Sequence, residues 1–238
     1  MSLAWSSVKA LIIPVGGVSR DVKRVTAGGV VLWEKAPAVP FDAEVEYIES
    51  TGTQYIDSGV LGSSDVDLEV RFCLPTIAGR QVMGQRKTGS NELANFIQTQ
   101  SSPMGKIRVF YGASENSVYY TAAGGEWVTV RRTGTNFYTN DVLTGTVSAS
   151  TFTAENTIIV HGTNGFSAYG TAQLRISAAK IWQNGVLVRD FQPVRVGSGA
   201  SAVGCLYDRA NPTGGPSGNG LYPNSGSGAF VVGPDKNA

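Results

Sequence analysis

Along most of the chain, apolar and polar residues alternate one by one. In residues 65–72, DVDLEVRF, Val66, Leu68 and Val70 alternate with Asp67, Glu69 and Arg71. Successive side chains of a strand point to opposite faces, so this pattern buries the first set and turns the second toward water. Residues 106–111, KIRVFY, repeat it with Ile107, Val109 and Tyr111, and the stretch around Val128 and Val130 repeats it again. Asn184-Gly185 stands between two strand-like runs, a pair that readily takes the positive φ angles of a tight hairpin turn. No stretch of a dozen residues carries a helical stripe. The expected architecture is all-β, with two antiparallel sheets packed face to face.

Turn-forming residues divide this pattern. Residues 8–33 hold two apolar runs flanking Gly16-Gly17 and a third after Gly28-Gly29, which predicts short strands joined by tight turns. The segment Ala-Pro-Ala-Val-Pro at 36–40 is biased to extended conformations and places a boundary there. A small β-rich N-terminal extension over residues 1–38, for attachment or oligomer contact, is therefore expected, followed by a sandwich over 39–238. Residues 211–220, NPTGGPSGNG, are nearly all turn formers and predict a surface loop, because backbone without strand partners must stay hydrated. Strand-like sequence returns at 229–232.

Composition narrows the chemistry. Charged residues are only 16% of the 238, and the net charge is +1. Such a chain exerts no long-range pull on nucleic acid or acidic membranes. Lys and Arg are scattered, Arg131-Arg132 being the densest pair, so no nucleic-acid partner is expected. No apolar run approaches the ~20 residues of a membrane span. The apolar stretch at 10–18 is short and broken by Pro14, so no signal peptide is expected. Cys73 and Cys205 are the only cysteines, each in strand-like sequence, and two reduced core thiols or one disulfide both remain open. With a single histidine they cannot form a four-ligand zinc site.

Three segments carry a resemblance. YIESTGTQYIDSG (47–59) resembles the opening of laminin-G-like, concanavalin-A-like jelly-roll domains of phage and gut-bacterial proteins. AKIWQNGVLVRDFQPVR (179–195) looks like their penultimate hairpin, and GCLYDR (204–209) with LYPNSGSGAFVVGP (221–234) like their closing segment. The likeness covers residues 44–234, with a loop between Arg209 and Leu221 that is longer and richer in glycine than usual. The N-terminal piece, with Ile13-Pro14, Gly16 and Val18 and then Gly29, Val31 and Trp33, is similar to short modules that begin phage tail and appendage proteins. The resemblance implies a jelly-roll sandwich in a virion or prophage-derived appendage, displayed for host contact. It implies little about function, since this fold hosts lectins, glycosidases and spacers alike.

Candidate chemistry is sparse. Asp65, Asp67 and Glu69 share one strand face and could hold Ca²⁺ or act as acid and base. Val66, Leu68 and Val70 claim the buried face, so the acids are expected to be a solvent face, with Ca²⁺ left open. The Glu-x-Asp-x-x-Glu signature of retaining glucanases is absent; Glu44, Glu46 and Glu49 come nearest, with the wrong spacing and no Asp among them. His161 ends the apolar run TIIVH and is expected at a strand end. No catalytic residue, resident metal or cofactor is therefore expected. Aromatic residues remain. If Ile107, Val109 and Tyr111 face the core, Phe110 faces out; likewise Trp127 if Val128 and Val130 face in, and Tyr119 if Val118 and Tyr120 do. Exposed rings stack well on sugar C–H faces, although the same rings also serve core or oligomer packing. The expected function is non-catalytic binding of a host-surface glycan or protein through Phe110, Tyr119 and Trp127. Other appendage subunits are further expected partners, with a homotrimer as the oligomer considered. The rivals are a purely structural module and a glycoside hydrolase on the same fold.

Overall fold

The computed structural model describes residues 11–15, 18–22, 24–27, 30–34, 38–88, 93–101, 104–121, 123–165, 171 and 173–236. The chain divides into two compact units, Met1–Val39 and Pro40–Ala238. In the first, β1 (Leu11–Val15) pairs antiparallel with β2 (Val18–Val22), and β3 (Arg24–Ala27) with β4 (Val30–Glu34). The glycine pairs 16–17 and 28–29 lie outside the described residues.

The second unit contains β5 (Ala43–Glu44), β6 (Ile48–Thr51), β7 (Ile56–Leu61), β8 (Val66–Cys73), β9 (Gln81–Gln85) and β10 (Ala94–Ser101). It continues with β11 (Met104–Gly112), β12 (Ser114–Thr121), β13 (Trp127–Thr133), β14 (Asn136–Thr139), β15 (Val142–Thr146) and β16 (Thr157–Val160). It closes with β17 (Gln173–Gln183), β18 (Val186–Val196), β19 (Val203–Asp208), β20 (Leu221–Tyr222) and β21 (Val231–Val232). Among the described residues these form a six-stranded sheet in the order β12-β11-β10-β9-β16-β7 and an eleven-stranded sheet whose main path is β15-β14-β13-β8-β17-β18-β19-β20. Every strand pairing in them is antiparallel. Neighbours in space are often distant in sequence, as with β16 between β7 and β9, so folding must close long loops before these pairings can form.

Alternation decides which side chains meet between the sheets. On β8, Val66, Leu68, Val70 and Phe72 are buried, while Asp67 and Glu69 are partly exposed and Arg71 exposed. Ile107, Val109 and Tyr111 of β11 join the same core from the other sheet, with Val128 and Val130 of β13 and Ile176, Ala179 and Ile181 of β17. Each fully buried Ile, Leu, Val or Phe contributes roughly 1.5–3 kcal/mol against exposure. The Asn184-Gly185 turn joins β17 to β18: both residues have positive φ, 51° and 75°, and Gln183 pairs with Val186 across it. Cys73 and Cys205 are buried and unpaired, and burial pushes both thiols up, away from the reactive thiolate.

One core position breaks the pattern. Arg132 continues the inward set of β13 after Val128 and Val130, and its side chain is fully buried. Its guanidinium donates to the carbonyl of Val66, to Gly134 O at 2.7 Å, to Asn95 Oδ1 at 3.2 and 3.3 Å and to Asp67 Oδ1 at 3.3 Å. It also lies 4.3 Å from the centre of the Tyr111 ring. A buried charge persists only when paired and hydrogen-bonded, and this one is.

Candidate ligand-binding face

Trp127 begins β13 opposite Cys73 of β8 and points away from the core, on the outer face of the eleven-stranded sheet. It is half-buried. The Tyr47 ring lies beside it with centroids 6.0 Å apart and a 47° tilt. The Arg71 guanidinium sits 4.9 Å over the indole, and Arg175 sits 4.7 Å over Tyr47. Two cations and two rings thus form one layered row, an arrangement favoured by the negative ring faces. Both cations are tethered. Arg71 Nη1 donates to Ser177 Oγ at 3.0 Å, and Arg175 Nε donates to Glu49 Oε2 at 2.7 Å. The hydrogen bond to Glu49 raises the Arg175 pKa further.

Beside this row lies an open groove of about 350 Å³ lined by Glu46, Arg71, Trp127, Ser177, Ala178 and Lys236. A local irregularity creates it. The pairing of β17 with β8 slips between Ile176 and Ala178, which leaves both Ser177 and Ala178 off the core. Two small residues next to a large indole leave a hollow. Its wall presents an aromatic surface with a carboxylate, a hydroxyl, a guanidinium and an ammonium within it. A smaller hollow of about 250 Å³ lies elsewhere on the second unit, lined by Asp67, Arg131, Thr133, Trp182 and Gly185. Trp182 was not singled out from the sequence, although it alternates with the buried Ile181.

Of the other expected contact residues, Phe110 does not join this face. Phe110 does face away from the main core, as its buried neighbours Val109 and Tyr111 require, but it is not exposed. It is 4% accessible and packs with Ala94 and Phe96 in a second, small hydrophobic cluster. The Phe96 and Phe110 rings stack 4.2 Å apart, and Arg108 covers Phe110 at 4.9 Å. Phe110 also sits in the six-stranded sheet and Trp127 in the eleven-stranded one, so their outward sides face opposite directions and cannot serve one ligand. Tyr119 lies in β12, and its side chain falls outside the described residues.

The acidic residues are each engaged separately. Asp65 accepts from Gln183 at 3.2 Å, Asp67 pairs with Arg132 at 3.3 Å, and Glu69 pairs with Lys180 at 3.2 Å. No group of three or more His, Cys, Asp or Glu side chains converges among the described residues. His161 follows β16 but is fully buried, with a φ of 70° and its ring 4.9 Å from Phe230. Neither ring nitrogen has a hydrogen-bond partner among the described residues. Burial pushes its pKa from 6.5 down to about 3, so the imidazole is neutral, and it is shielded from solvent. No helix among the described residues is long and apolar enough to cross a membrane.

No family model matches the sequence, and no curated protein does. Among solved structures the chain is similar to a candidate carbohydrate-binding protein from Bacteroides ovatus, with a TM-score of 0.52 and 11% identity over 93% of this chain and 67% of that one. It is also similar to a heptameric SAP-like pentraxin from Limulus polyphemus, with a TM-score of 0.45 and 12% identity over 83% of this chain and 97% of that one. The Bacteroides ovatus likeness, with the two antiparallel sheets, defines the fold as an all-β jelly-roll sandwich.

Proposed function

We propose that the protein is a non-catalytic recognition module that binds a glycan in the groove beside Trp127. The observation that carries this reading is the combination of a half-buried indole with hydrogen-bonding groups of both kinds in one open hollow. Saccharides offer apolar C–H faces and many hydroxyls, and pockets that bind small molecules combine apolar walls with a few placed polar groups. The fold likeness to a candidate carbohydrate-binding protein supports the same reading. Hydrolysis is disfavoured because glycosidic cleavage uses two facing carboxylates, and Glu46 is the one acid among the groove's described lining residues. The resemblance of residues 8–33 and 44–234 to phage and prophage appendage proteins extends the proposal: the module is displayed on a virion or appendage, and repetition in an oligomer such as a trimer strengthens a weak site by avidity.

One observation favours a purely structural face instead, because Arg71 already covers one side of the indole. A single experiment separates the two readings. Trp127→Ala and Glu46→Gln are compared with the parent on a glycan array, after equal thermal stability is established. Loss of retained glycans in both variants supports recognition. An array that retains nothing, or is indifferent to both changes, leaves the structural reading.

A further inference from the structure

The loop over residues 211–220 plays no part in the Trp127 groove, yet it walls a second hollow. At the rim, the six-stranded sheet's edge strand β7 lies near β20 of the eleven-stranded sheet. The groove there measures about 390 Å³, and Asp57, Gly59, Arg189, Pro216, Tyr222 and Ser225 line it. Its walls are held from three directions. The Asp57 carboxylate accepts from Gly59 N at 2.9 Å, and the Asp57 N–H donates to Ser225 Oγ at 3.3 Å. Arg189 Nε donates to Ser58 O at 3.0 Å, so its guanidinium bridges the two sheets. Nη1 is held by Val188 O at 2.7 Å, and Nη2 makes no hydrogen bond among the described residues. Gly59 lies beside Nη2: its φ is +68°, a backbone conformation that favours glycine, and a Cβ there would stand 3.8 Å from that nitrogen, in ordinary contact. The loop wall is tied to itself through its backbone. Gly214 N, Gly218 N and Gly220 N donate to the loop carbonyls of Asn211, Gly215 and Gly214 at 3.0, 3.1 and 2.8 Å. A Cβ at Gly215 would come within 2.7 Å of Leu221 O.

Charge narrows the ligand. Asp208 is fully buried; its Oδ1 accepts from Asp190 N at 2.9 Å and Ala210 N at 3.0 Å, and its Oδ2 lies 3.7 Å from Arg189 Nε. This buried carboxylate offsets the charge of Arg189, and Asp57 adds negative charge to the groove itself. An anion entering the groove would meet Asp57 without gaining a free cation. What remains is a carboxylate acceptor, a guanidinium donor and a serine hydroxyl around a space at the small end of small-molecule sites. We propose that this rim groove is a second binding site, separate from the Trp127 groove, and that it takes a short neutral saccharide. Asp57 accepts from one sugar hydroxyl, Arg189 Nη2 donates to a neighbouring one, and Ser225 meets the sugar at the outer edge.

The test is a ¹H–¹⁵N NMR titration of the full chain. The probes are methyl glycosides of glucose, galactose, mannose, fucose and N-acetylglucosamine at about 50 mM, a concentration suited to millimolar sites, with glucuronic and sialic acids as the charged arm. At least one neutral sugar should shift the amides of Asp57, Gly59, Gly215 and Ser225, and neither acid should. Asp57→Asn keeps an oxygen for Gly59 N and should weaken that binding about tenfold, as loss of a charge-assisted hydrogen bond does. Ser225→Ala, at an exposed position, should weaken it less, and Trp127→Ala should leave it unchanged. Shifts confined to the Trp127 groove overturn this proposal and leave the function proposed above standing. Stronger rim shifts with the acidic sugars overturn it as well, as does full affinity in Asp57→Asn. An absence of shifts anywhere overturns both proposals.

Discussion

On the outer side of the eleven-stranded sheet, Trp127 is half-buried and borders an open groove. On the outer side of the six-stranded sheet, Phe110 is 4% exposed, pressed between Phe96 and Arg108. Both residues hold the same place in the alternation, next to buried valines. The difference arises from their neighbours across the sheet. Phe110 pairs with Phe96 of β10, so two large rings cover each other. Trp127 has the small Ser177 and Ala178 nearby, displaced by the slip in β17, and a hollow results. Facing outward is therefore a property of one strand, while being exposed is a property of three. Arg132 adds the converse case. It occupies an inward position five residues after Trp127 on the same strand, and the core accepts it because four acceptor groups surround it.

The largest expected effect tests that converse case. Arg132→Ala should destabilise the sandwich by about 3–5 kcal/mol in chemical denaturation, because it strips partners from buried acceptors and opens a cavity. Arg132→Met, which keeps most of the volume, should cost roughly half as much. If both variants melt like the parent, the buried cluster contributes nothing. Phe110→Ala comes next and should cost about 3 kcal/mol as a buried-ring deletion, with glycan binding at the Trp127 groove unchanged. A change under about 0.5 kcal/mol, the scale of an ordinary surface substitution, would show that Phe110 is a free surface ring after all.

The third effect is set by pH. His161 has a folded pKa of about 3 against 6.5 unfolded, so the unfolded chain takes up a proton that the folded one refuses. The stabilising contribution is whole above pH 6.5 and is lost as pH falls toward 3, by about 1.4 kcal/mol for each pH unit. His161→Asn, which tolerates the left-handed backbone at this position, should flatten that slope in denaturation curves taken from pH 7 to pH 4. Parallel curves for parent and variant would place the acid sensitivity elsewhere. The smallest stability effect belongs to Trp127→Ala, about 1 kcal/mol or less for the Tyr47 and Arg71 contacts. Its binding effect should reach at least tenfold, the inverse of the Phe110→Ala result.

Much of this was legible in the order of residues. The alternation of Val66, Leu68 and Val70 with Asp67 and Glu69 carries the strand and its buried face, because the side-chain period of a strand is two. Asn184-Gly185 carries its turn, because those two residues accept positive φ. Trp127 was legible as an outward ring, and the 211–220 loop as surface, because its prolines lack the N–H a ladder needs and its many glycines disfavour a strand. The grooves were not legible. The Trp127 hollow depends on a slip of register in β17, and the rim groove on bringing Asp57 beside Arg189 and Ser225, more than a hundred residues away. Alternation also separates Arg131, outward on β13, from Arg132, inward, but it does not show that the inward guanidinium is buried and matched by Asn95 and Asp67. Periodicity fixes the direction of a side chain relative to its own strand. Whether that direction ends in water, in a neighbouring ring or in a buried carboxylate is settled only when distant strands pair, since burial and charge compensation are properties of the assembled neighbourhood.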